Sequence, residues 1–224
     1  MTVVRRAAPV RRGPLSEWHR RRGARMVPAG EWPATYGDVQ RERSAARERV
    51  AIVDAGPFDR IALDGALEAP PPAPRHEPGC VTEGRIDGRD AELWTLTDRS
   101  SLLVAPGADA ASAASLAAAA AALGARAADV SSRYATFILA GPRSAALLEE
   151  VFPVDLRAVA PREIAFGPLA RVTATVARMG TGAVAAFTVL VARDEAEYLW
   201  ESLLRVGERH GIVPAGAAAL AGDR

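Results

Sequence analysis

Two aspartates, Asp87 and Asp90, flank Gly88-Arg89 just before a β-rich run, and they are the loop carboxylates best placed for chemistry. A single carboxylate there could orient an amine and stabilise positive charge developing on a transferred one-carbon unit. The same Asp-Gly pair is an ordinary turn signal, so residue type alone leaves both readings open. Gly180-Thr181-Gly182-Ala183-Val184-Ala185 fits the G-x-G-x-x-A dinucleotide fingerprint. That fingerprint needs its last residue to open a helix facing a pyrophosphate. Here the β-rich Phe187-Thr188-Val189-Leu190-Val191 follows, so the glycines are predicted to form a hairpin turn.

Several chemistries are excluded by what the chain lacks. All 28 basic residues are arginine, and there is no lysine. A Walker P-loop, a pyridoxal-phosphate Schiff base and a protein kinase each need a lysine. No G-x-S-x-G elbow supports a serine hydrolase. The lone cysteine, Cys80, has no partner for an internal disulfide or a CxxC zinc knuckle, which suits a reducing cytoplasm. His19, His76 and His210 lie far apart without ligand spacing, so no metal is expected. The formal net charge of +1 gives no field that would draw the chain to nucleic acid or an anionic membrane. Arg20, Arg21, Arg22 and Arg25 read either as a solvated helix face or as a docking patch for an acidic partner.

The elements that must position these residues form an α+β order. With 49% hydrophobic and 25% charged residues, the 224-residue chain can bury one sizeable core or two small lobes. Residues 1–13 read as a tail. A helix is predicted over Leu15–Arg22 and another from Asp38 through Arg49, followed by strands at Val50–Asp54 and Arg60–Leu63. Residues 68–79 form a proline-rich connection that stops both helix and sheet. A hairpin over Ala91–Leu96 and Ser101–Ala105 precedes an alanine helix, whose flanking Asp109, Arg126 and Asp129 argue against a membrane span. The second half reads as a strand at Tyr134–Ala140 and a short helix over Ser144–Val151, with Pro142 as its first-turn proline. Strands at Arg171–Arg178 and Val184–Ala192 and an amphipathic helix over Asp194–Arg209 complete it. The predicted fold is mostly antiparallel sheets flanked by helices, with residues 217–224 as a second tail.

The motifs that frame these elements carry a resemblance. Pro14-Leu15-x-x-x-His19, Gly23-Ala24-Arg25-Met26-Val27, Trp32, Tyr36-Gly37 and Val50-Ala51-Ile52-Val53-Asp54 occur in one order. They are followed by Leu139-Ala140-Gly141-Pro142-Arg143, Val154-Asp155-Leu156, Leu199-Trp200-Glu201-Ser202-Leu203-Leu204 and His210-Gly211-Ile212-Val213-Pro214. This collinear set resembles the aminomethyltransferase (glycine-cleavage T-protein) family over roughly residues 14–216. The resemblance implies a folate-binding domain with tetrahydrofolate in a central opening.

Carried over by position, the family's catalytic aspartate falls on Asp90, and its aromatic partner four residues on falls on Trp94. Arg178, Trp94 and Thr188 fall on cofactor-binding positions. The pterin-pairing glutamate is replaced by Thr188, a hairpin tyrosine by Thr181 and a strand-end asparagine by Ala105. The family's G-x-G-A-R-D appears from Gly216 to Ala221 without its arginine. A neutral hydroxyl cannot accept two pterin donors as a carboxylate does, so tetrahydrofolate binding is expected to be weak or lost. The proline-rich stretch replaces a helix and a strand, and the family's C-terminal barrel is expected to be absent. Such a short form looks like the small (gamma) subunit of heterotetrameric sarcosine oxidase, a structural partner of a flavin- and folate-carrying subunit. The resemblance therefore implies hetero-oligomerisation through uncovered apolar surface, with a self-sufficient aminomethyl- or methyltransferase using Asp90 as the alternative.

Overall fold

A computed structural model describes residues 11–27, 31–65, 77–107, 110–122, 124–179 and 185–221. The chain opens with α1 (Ser16–Arg21), β1 (Arg25–Met26), β2 (Pro33–Thr35), α2 (Val39–Glu48), β3 (Val50–Asp54) and β4 (Phe58–Asp64). Then follow β5 (Cys80–Ile86), β6 (Arg89–Thr95), β7 (Ser100–Pro106), α3 (Ala110–Ala121), β8 (Arg126–Asp129) and β9 (Tyr134–Ala140). The chain continues through α4 (Ser144–Glu149), β10 (Ile164–Leu169), β11 (Val172–Arg178), β12 (Ala186–Ala192), α5 (Ala196–Gly207) and β13 (Ile212–Ala215).

These strands build a six-stranded sheet in the order β10-β11-β12-β9-β3-β13 and a five-stranded sheet in the order β5-β6-β7-β4-β8, besides the small β1-β2 pair. Pairing is antiparallel throughout except for β13, which lies parallel to β3. The expected α+β class with mostly antiparallel sheets is what the chain adopts.

Alternation along each strand divides the core into layers. On one face of the large sheet, Ile52, Phe137, Leu139, Val176 and Val189 pack with Leu15 of the segment entering α1, Leu147 of α4 and Trp200 of α5. The opposite face is shared between two coverings. Ala45 and Ala46 of α2 cover Ala51, Val53 and Ala140. Trp94, Leu102 and Val104 of the small sheet cover Ala177 and Leu190. The outer face of the small sheet is closed by α3, whose Ala113, Leu116 and Ala120 meet Ile61, Leu93 and Leu103.

Local signals explain most boundaries. Asp38 caps α2, its carboxylate accepting from the Arg41 N–H at 2.9 Å. Gly141 ends β9 at φ 132°, and its carbonyl accepts from both the N–H and the hydroxyl of Ser144. Pro142 therefore lies in the turn, and α4 starts at Ser144 rather than at the proline. The glycines at positions 180–182 lie outside the described residues, but the flanking β11 and β12 pair antiparallel through Arg178 and Phe187. Most of the proline-rich connection, including His76, also lies outside them.

Both predicted tails are partly built in. Arg11 donates to Asp59 at 2.7 Å, and Ala219 is buried beneath α2 in a 3-10 turn over Ala217–Ala219. The expected broad apolar surface is not seen. Among the described residues the large exposed apolar side chains are Leu96, Phe166 and Tyr198, on separate elements. The two sheets cover each other instead.

Candidate functional site

The face of the small sheet turned towards the large one carries two of the residues that the resemblance singles out, Asp90 and Trp94. On β6, Ala91 and Leu93 point to α3, which leaves Asp90, Glu92 and Trp94 on the inter-sheet face. Trp94 is buried there among Val81, Val104 and Leu190, and its indole N–H donates to Glu92 at 3.0 Å. Asp90 stands at the other end of the strand, roughly 13 Å along the backbone from Trp94. Its side chain is 88% exposed and lies 3.3 Å from the guanidinium of Arg85, its cross-strand neighbour. Asp87 sits in the turn at φ 51° and accepts from the Ser115 hydroxyl at 2.7 Å.

Thr188 is half-buried on the matching face of β12, between Ala177 of β11 and Ile138 of β9. Arg178 does not join it. Its cross-strand partner Phe187 belongs to the helix-side core, and the Arg178 guanidinium donates to the Val159 carbonyl at 2.8 Å. Ala105, at the position of the family's strand-end asparagine, also faces away, packed with Leu93 and Leu116 towards α3. Thus Trp94 and Thr188 share the inter-sheet space, Asp90 lies at its solvent end, and Arg178 lies behind the large sheet.

A buried polar relay escaped the reading from sequence. His19 is fully buried; its Nδ1 lies 2.5 Å from the Tyr36 hydroxyl and its Nε2 lies 3.0 Å from Asp54 Oδ2. Trp18, Tyr36 and Trp200 meet the imidazole edge to face. Burial pushes the Asp54 carboxyl above the usual carboxylate range, while the His19 hydrogen bond opposes the shift. Burial, with Asp54 and Glu42 nearby, pushes the Tyr36 phenol upward as well. The available signal was that His19 and Asp54 each end a resemblance motif with a polar residue amid apolar ones.

The remaining candidates carry less chemistry. His210 pairs with Glu150 at 2.7 Å, and burial pushes the Cys80 thiol up, disfavouring a reactive thiolate. Within the arginine cluster, Arg20 pairs with Glu31, Arg21 with Glu197, and Arg22 lies over the Trp18 ring. Much of that charge is therefore compensated within the chain. Among the described residues no group of three His, Cys, Asp or Glu is placed to hold a metal, and no helix is long and apolar enough to cross a membrane.

Comparison with known proteins fits this fold. Aminomethyltransferases of Halothermothrix orenii and Deinococcus deserti are 23% and 29% identical over 94% of this chain, covering 63% and 62% of their own lengths. The chain thus spans about three fifths of those relatives. Among solved structures, glycine cleavage system aminomethyltransferase T from Bartonella henselae superposes with a TM-score of 0.74 at 22% identity, over 94% of this chain and 61% of that one. A chain of heterotetrameric sarcosine oxidase from Corynebacterium sp. U-96, in complex with pyrrole 2-carboxylate, superposes with a TM-score of 0.62 at 17% identity, over 91% and 97%. The model of the GCVT N-terminal domain matches residues 80–224, well over half of the sequence, and the chain belongs to that family.

Proposed function

We propose that this chain is an accessory subunit of a tetrahydrofolate-linked amine-demethylating oxidase or a related one-carbon complex, with a reduced folate site of its own. The observation that carries this reading is Thr188. It stands on the inter-sheet face where the resemblance places a glutamate, and it offers one neutral hydroxyl in place of a two-oxygen acceptor. The turning away of Arg178 points the same way. Likeness to a chain of a heterotetrameric sarcosine oxidase supports the assignment of the chain to a hetero-oligomer, and the family resemblance adds a partner that would carry the flavin and folate. The single Cys80 suits a cytoplasmic setting.

The alternative is a self-sufficient tetrahydrofolate-dependent aminomethyl- or methyltransferase using Asp90, favoured by the position of Asp90 on the same strand face as Trp94. Titration calorimetry with tetrahydrofolate separates the two. The accessory reading expects no binding at about 10 μM ligand, and tightening by about tenfold in Thr188→Glu. A low-micromolar dissociation constant for the unaltered chain, with turnover lost in Asp90→Asn, would establish the transferase instead.

A further inference from the structure

A cavity of about 290 Å³ opens where the segment before α1, the β3–β4 connection and the start of β9 converge. Asp90, Trp94, Arg178 and Thr188 are not among its lining residues. Four arginines line it, Arg11, Arg12, Arg60 and Arg193, against one carboxyl, Asp54. Arg11 is paired with Asp59 at 2.7 Å and with Asp129 at 3.8 Å, which leaves Arg12, Arg60 and Arg193 against the single lining carboxyl of Asp54. Arg193 is steadied by donating to the Arg12 carbonyl at 2.7 Å, and both also line a shallow outer groove with Pro14 and Glu197.

The deepest cation is Arg60, only 4% exposed. Its terminal nitrogens donate to the Ser131 carbonyl at 3.2 Å, the Phe58 carbonyl at 3.4 Å and the Thr136 hydroxyl, all neutral acceptors. Its Nε is buried with no hydrogen-bond partner. Arg60 nevertheless lines the cavity, and a guanidinium hydrogen-bonded only to neutral acceptors is a cation to which a ligand carboxylate would be drawn. Trp32, Pro57, Phe58 and Tyr134 supply apolar wall, which a bare inorganic anion would leave unused. The volume lies at the small end for ligand sites, which sets the size of the occupant.

We propose that this cavity binds a small organic carboxylate with a flat apolar body, its oxygens held by Arg60 and Arg193 and its body set against Trp32, Phe58 and Tyr134. Arg60 suits the role because burial lowers its pKa only to about 10, leaving it cationic at neutral pH. Asp54, the one carboxyl in the lining, interacts electrostatically with both Arg60 and Arg193, and its Oδ2 is engaged by His19 at 3.0 Å, so three arginines still outnumber it.

The test is calorimetry of the full chain with benzoate as the probe, at low ionic strength, with inorganic phosphate as the anion control. Saturable binding at one site is expected, weakened about tenfold or more in Arg193→Gln and unchanged in Arg209→Gln, which lies outside the cavity. Arg60→Met is expected to abolish binding, but its buried position puts folding at risk. Arg193→Gln, on a half-exposed residue, keeps the test decisive. No saturation by about 10 mM benzoate, an unaltered affinity in Arg193→Gln, or phosphate binding as tightly as benzoate would each overturn the assignment.

Discussion

At the residue scale, Asp54 is a buried carboxyl hydrogen-bonded to His19, whose ring meets Trp18, Tyr36 and Trp200 edge to face. Its folded pKa is raised, with desolvation the largest cause, so the folded protein holds this proton to higher pH than the unfolded chain. The sign follows directly. The stability Asp54 contributes is full below the unfolded value of 3.8 and is lost as pH rises through the folded value. Asp54→Asn keeps the size and an acceptor for His19 while removing the titration. In paired urea unfolding series, the stability of the unaltered protein relative to Asp54→Asn should therefore fall as pH rises above the ordinary carboxylate range. A difference independent of pH would show that Asp54 is not titrating from a raised value. This relay was hidden in the sequence because a histidine and an aspartate 35 residues apart give no local signal of contact.

At the scale of elements, the strands that were legible and those that were not divide by position in the sheets. β3, β4, β6, β7, β9, β11 and β12 are interior, buried on both faces or alternating cleanly, and their apolar patterns were readable. Apart from the short β1–β2 pair, the four that went unread, β5, β8, β10 and β13, are the four sheet edges. An edge strand needs little apolar sequence and tolerates proline, since one row of its backbone groups is unpaired. Pro168 in β10 and Pro214 in β13 use that freedom, and β5 buries only Val81. The parallel pairing of β13 with β3 was invisible for the same reason.

Gly141 shows the converse case, a motif glycine whose reason is now physical. At φ 132° it lies where side chains are strained, and a Cβ there would come within 2.3 Å of the Arg49 carbonyl oxygen. Gly141→Ala should cost roughly 2–4 kcal/mol through strain and displacement of the α2–β3 junction. Chemical denaturation that found a change below about 0.5 kcal/mol would refute the close approach.

At the scale of the whole molecule, two helix-backed sheets are joined face to face, and Trp94 is the largest side chain in that contact. Trp94→Ala should destabilise the fold by about 3–5 kcal/mol, through lost burial and the cavity left between the two sheets. Thermal unfolding at an unchanged midpoint would remove Trp94 from the junction. The same packing bears on the ligand question, since the aromatic ring assigned to the cofactor by resemblance already fills the space between Val104 and Leu190. Sequence placed Trp94 and Thr188 on strands and Asp90 in the loop before one, whereas Asp90 lies within β6, and it could not show that Arg178 and Ala105 face elsewhere. A one-residue offset on a strand reverses the face, and only the observed register resolves it.

The proposed role of this chain is that of one subunit in a larger one-carbon oxidase. Its most direct test is purification of the tagged chain at native expression level from its source organism, with light scattering, flavin absorbance and mass spectrometric identification of every component. The expected result is a stoichiometric hetero-oligomer in which a larger flavin-carrying chain accompanies this one. A flavin-free monomer that binds tetrahydrofolate and turns over by itself would contradict the claim.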